Sequence, residues 1–93
     1  MCRNIRVLHH FEPPTTPEEI NAAATQFVRK VSGTTRPSHT NQAAFDAAIE
    51  AVAAATTRLL EQLDTRGEPR TRDGEAAKGR ARWEQRVARM GKP

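Results

Sequence analysis

Tyrosine is absent from this 93-residue chain, and its aromatic residues are three Phe and a single Trp. Aromatic side chains supply the largest apolar areas of a core. Their scarcity, with an apolar share of 37% against the roughly 45–50% of ordinary globular chains, excludes a thick hydrophobic interior. A lone cysteine, Cys2, excludes an internal disulfide and fits a reducing compartment. No stretch approaches the roughly 18 apolar residues of a membrane helix, and the N-terminus lacks the apolar run of a secretory signal, so a cytoplasmic protein is expected. The length leaves room for one small domain and a tail.

Charge is present but uneven. In residues 1–63 the cations Arg3, Arg6, Arg29, Lys30, Arg36 and Arg58 balance Glu12, Glu18, Glu19, Asp46, Glu50 and Glu61. The whole net charge of +4 therefore belongs to the last part of the chain. Such asymmetry is that of a basic arm on a neutral domain.

Ile5, Val7 and Leu8 followed by Pro13-Pro14 predict an extended strip ending in a polyproline-like turn. One unpaired strand is unstable alone, so the strip is expected to lie across helices. Thr16-Pro17-Glu18-Glu19 carries the cap, the N1 proline and the N3 carboxylate of a helix start. Ile20, Ala23, Ala24, Phe27, Val28 and Val31 then form one helical stripe, which Gly33 ends. After a loop containing Arg36 and Pro37, Phe45, Ile49, Val52, Thr56, Leu59 and Leu63 recur at spacings of four and three, a seam for packing along another helix. The stretch 64–74, with two glycines, Pro69 and alternating charges, reads as a flexible linker. Residues 75–93 read as a basic helix or tail with Ala76, Trp83, Val87 and Met90 on one narrow stripe.

Long strings of this sequence resemble a known family. Met1-Cys2-Arg3-Asn4-Ile5-Arg6, Leu8-His9, Phe11-Glu12-Pro13-Pro14, Glu18-Glu19-Ile20, Val28-Arg29-Lys30-Val31-Ser32-Gly33 and Ala53-Ala54-Ala55 are similar to those of small bacterial proteins, the domain of unknown function family 2277. The resemblance covers about residues 1–65 and implies a helical fold and no activity. His10 departs from the family pattern, in which Asn is usual. A fainter similarity is to the chaperone J-domain, through the order of Pro17-Glu18-Glu19-Ile20, Arg29-Lys30, Pro37 and Phe45. The His-Pro-Asp tripeptide of J-domains is missing from Thr35-Arg36-Pro37-Ser38-His39, so this similarity implies a helical hairpin without co-chaperone activity.

Candidate chemistry is sparse. Cys2, next to Arg3 and near Arg6, is a candidate reactive thiol. Cys2, His9, His10 and His39 have donors suited to zinc or copper, but their spacing demands no site and no metal is expected. No nucleophile elbow and no phosphate-binding Gly-rich loop is present, and Glu18-Glu19 is explained by capping. A thin core leaves little room for a deep pocket. No enzyme activity, cofactor or small-molecule substrate is therefore expected. Arg72, Lys78, Arg80, Arg82, Arg86 and Arg89, with Trp83 to stack, are the candidate nucleic-acid contacts. Phe45, Ile49, Val52, Leu59 and Leu63 are the candidate interaction seam.

Together these features predict an all-α protein: an N-terminal extended strip over an antiparallel two-helix hairpin in residues 1–63, a linker, and a basic C-terminal helix. The expected role is non-catalytic protein interaction, with an unknown protein or a second copy as partner. RNA or ribosome association through the basic arm is the alternative, and a redox or metal role of Cys2 the third. No membrane partner is expected.

Overall fold

The computed structural model describes residues 4–90. Its elements are α1 (Pro17–Ser32), a single 3-10 turn (His39–Asn41), α2 (Gln42–Gln62) and α3 (Arg72–Met90). No strand occurs among the described residues, only one isolated parallel bridge between Phe11 and Arg70. The fold is all-α, with α1 and α2 packed as a hairpin and α3 separate from both.

The start of α1 follows its sequence signals. The Thr16 hydroxyl accepts from the Glu19 amide (3.2 Å), and the Thr16 amide donates to the Glu19 carboxylate (2.9 Å), a complete capping box with Pro17 behind it. Gly33 ends the helix at φ 72°, a left-handed conformation that glycine adopts without a Cβ penalty. Ile20, Ala24 and Val28 lie on the buried side of α1, and Leu8 of the strip joins them to complete the buried core. Ala24 is the most buried of these, 2% exposed.

The N-terminal strip crosses this hairpin as expected. The Asn4 amide donates to the Gln26 side chain, Leu8 is buried, and the Thr15 hydroxyl donates to the Leu8 carbonyl. Ile5 and Val7 remain 43% and 52% exposed. The Glu12–Pro13 peptide is cis.

Two features depart from the sequence reading. Residues 66–74 do not hang free: the Arg70 amide donates to the His10 carbonyl (2.8 Å) and the Glu12 amide to the Arg70 carbonyl (2.9 Å). Helix α3 also begins three residues before Glu75. The Thr71 hydroxyl accepts from the Gly74 amide (2.9 Å), and this cap, together with the anchoring of Arg72, outweighs the poor helix propensity of Gly74.

The molecule is thin. Its Cα extents are 52 × 39 × 16 Å and its radius of gyration is 16.8 Å, where a compact chain of this length has about 12 Å. No helix of the described residues is long and apolar enough to cross a membrane.

Candidate functional site

Among the described residues, the most densely bonded point joins α3 to the start of α1. Arg72 lays its guanidinium side-on against Glu19, Nε to Oε2 at 3.0 Å and Nη2 to Oε1 at 2.7 Å. Its remaining donors reach the carbonyls of Pro13 (2.7 Å) and Pro14 (3.2 Å). The same group sits 5.2 Å from the centre of the Phe11 ring, in cation–π range. Arg6 adds a third cationic contact to Glu19 at 3.4 Å. The bonds from Arg72, then the Thr16 amide, hold the Glu19 carboxyl down from 4.5 to about 2, and Glu19 in turn raises the Arg72 pKa. A carboxylate so held is an acceptor at all ordinary pH values, and its geometry is that of a latch.

Beside this latch lies a largely apolar cleft of about 510 Å³, walled by Leu8, Phe11, Pro14, Ile20 and Leu60, with His9, His10 and Glu61 among its polar groups. His10 has φ 60°, in the left-handed region where Asn, Asp and His are enriched. The His10 ring donates from Nε2 to the Gly67 carbonyl at 3.1 Å. The His9 Nε2 is buried with no hydrogen-bond partner among the described residues. The His9 carbonyl accepts from the Arg70 guanidinium at 2.7 Å. Pro17, Ile20 and Thr57 also line an adjoining groove that carries Glu18, Glu50, Ala53 and Ala54. None of Glu18, Glu50 and Glu61 forms an ion pair among the described residues.

The sequence-predicted residues fall in several places. Arg72 is the latch cation, and Lys78 lies 3.4 Å from Glu75. Arg80, Arg82, Arg86 and Arg89 are exposed on α3, as are Trp83 (60%), Val87 and Met90. Phe45, Ile49 and Val52 are half-buried on the α1 side of α2, whereas Leu59 and Leu63 are 53% and 43% exposed. Leu60 occupies the half-buried place instead, because a straight helix of 3.6 residues per turn continues from Thr56 to residue 60. Cys2 lies outside the described residues. His9 and His10 share one cleft wall while His39 sits in the 3-10 turn; no three of His, Cys, Asp and Glu gather as a metal-binding group among the described residues.

Residues missed by the sequence reading are Glu61 at the cleft and the Glu19–Arg72 pair. Glu19 had a sufficient local role as a cap, and nothing in one sequence reveals a partner 53 positions away. Residues 1–78 match the profile of a family described as an uncharacterized conserved protein, DUF2277. No curated protein and no solved structure matches the chain.

Proposed function

The chain belongs to the DUF2277 family, and we propose that it is a non-catalytic module that binds another protein on the concave face where strip, α1 and α2 meet. One observation carries this reading: the molecule is thin, 16 Å in its shortest Cα extent, and only Leu8, Ile20, Ala24 and Val28 are buried apolar side chains among the described residues, a small core for a chain of this length. The exposed area agrees. A folded monomer of 10.3 kDa exposes about 5,400 Å², while this chain exposes 7561 Å², an excess of roughly 2,200 Å². A binding partner would cover this excess.

The separate basic α3 supports a second reading, contact with RNA or a ribosomal surface. A native pull-down at low and high salt separates the two. Protein binding through the hairpin survives salt and fails with Thr57→Arg, an exposed substitution on the groove wall. RNA retained only at low salt and lost with Arg82→Glu/Arg86→Glu, with no protein partner in either salt, contradicts the proposal and favours the basic arm.

A further inference from the structure

We propose that the chain on this face is a second copy of the same protein, whose α3 lies across the hairpin and seats its Trp83 in the His9–His10 cleft. This rests on the binding-module reading and names its partner. Exchanged in both directions, the contact is isologous and closes as a two-fold dimer.

Three independent features of the surface fit this occupant. The first is area: an excess of roughly 2,200 Å² on each chain gives a total inside the roughly 2,000–5,000 Å² that obligate pairs bury. The second is a match of groups. The Trp83 indole is 60% exposed on a helix that packs on neither α1 nor α2 of its own chain. Trp brings a large apolar body and one N–H that needs an acceptor when buried. The cleft offers about 510 Å³ of largely apolar space and, in the buried His9 Nε2, a nitrogen without a partner. A turn of the His9 ring toward the seated indole, with its proton on Nδ1, lets Nε2 accept from the indole N–H.

The third feature is charge. Arg80 and Arg86 stand one turn before and after Trp83, with Arg82 and Glu84 beside it, so cations outnumber acids three to one around the indole. The cleft carries Glu61, and the groove that continues it carries Glu18 and Glu50, three carboxylates without a cation among the described residues. A tryptophan with a net positive surround thus meets an acid-flanked apolar hole. Val87 and Met90, four and seven residues beyond Trp83, continue the stripe along the same side. Nucleic acid would match the arginines but is repelled by the acidic groove, so the second copy fits better. Within one chain the match is not made, because the Arg72–Glu19 latch holds the start of α3 beside Arg6 and Phe11.

The test uses the purified full chain in sedimentation equilibrium across a concentration series, read together with tryptophan emission. Trp83 is the sole indole and there is no tyrosine, so emission reports this residue alone. The proposal expects twice the 10.3 kDa chain mass and a blue-shifted emission that reverts on dilution. Trp83→Ala should weaken association at least about 30-fold, the scale of an interface hot spot. Trp83→Phe, which keeps an apolar ring but loses the N–H, should fall between. Glu61→Arg should also weaken it, and adding Arg86→Glu to the same chain should restore it. Circular dichroism of each variant checks the fold, which an exposed Trp83 leaves unchanged. A dimer indifferent to Trp83→Ala overturns this geometry. A monomer in pure solution that is bound to a different protein in an extract of its source cells overturns the second copy and leaves the binding module standing. A monomer in both overturns both.

Discussion

Replacing Glu19 by Gln should cost about 1–2 kcal/mol at pH 7 and nothing near pH 2. Gln at the third helical position keeps an acceptor for the Thr16 amide, so the substitution isolates the ion pairing with Arg72 and, more weakly, Arg6. The fall of the Glu19 carboxyl from 4.5 to about 2 sets a ceiling of about 3.4 kcal/mol at 1.36 kcal/mol per tenfold. Water still reaches both partners, whose side chains are 36% and 18% exposed, and partly exposed pairs retain only a fraction of such a ceiling. Because the folded-state value is depressed, the stabilisation is fully present above the unfolded value of 4.5 and drains away as pH falls toward about 2. Urea unfolding followed by circular dichroism, for both proteins at several pH values between 7 and 2, measures the gap directly. A gap that stays constant over that range, or one below about 0.3 kcal/mol at pH 7, would refute the latch.

The register of α2 predicts that Leu60→Asp, which places a charge at the half-buried cleft wall, costs about 2–3 kcal/mol. Leu59→Asp, at a 53% exposed neighbour, should stay within about 0.5 kcal/mol; urea midpoints of the two decide it. Thr16→Ala removes the hydroxyl that accepts from the Glu19 amide and should cost about 1 kcal/mol in the same assay. Ala24→Leu enlarges the most buried side chain of the core and should cost about 1–3 kcal/mol through overpacking, seen as a lower melting temperature.

Local signals read well from this sequence and distant ones did not. Thr16, Pro17, Glu19 and Gly33 act through bonds to near neighbours, so the bounds of α1 were legible from composition and spacing. Leu8 over the hairpin was legible too, because an apolar strip without a strand partner has to lie on helices. The sequence offers Arg72 only as a candidate nucleic-acid contact and Arg70 only as part of a linker, because their partners, Glu19, His9 and His10, lie more than fifty residues away. The cleft was invisible for the same reason: its walls come from the strip, from α1 and from the far end of α2. In the Leu59–Leu60 pair two adjacent leucines fit different periods, and only packing on α1 selects between them.

The most specific claim made for this protein is that its concave face is covered by a second copy of the same chain. Small-angle scattering of the purified full-length protein in solution addresses it in one experiment. A forward-scattering mass of twice 10.3 kDa, with a cross-section thicker than the 16 Å shortest Cα extent of one chain, is the predicted result. A mass of 10.3 kDa and the flat profile of one chain at every concentration would contradict it.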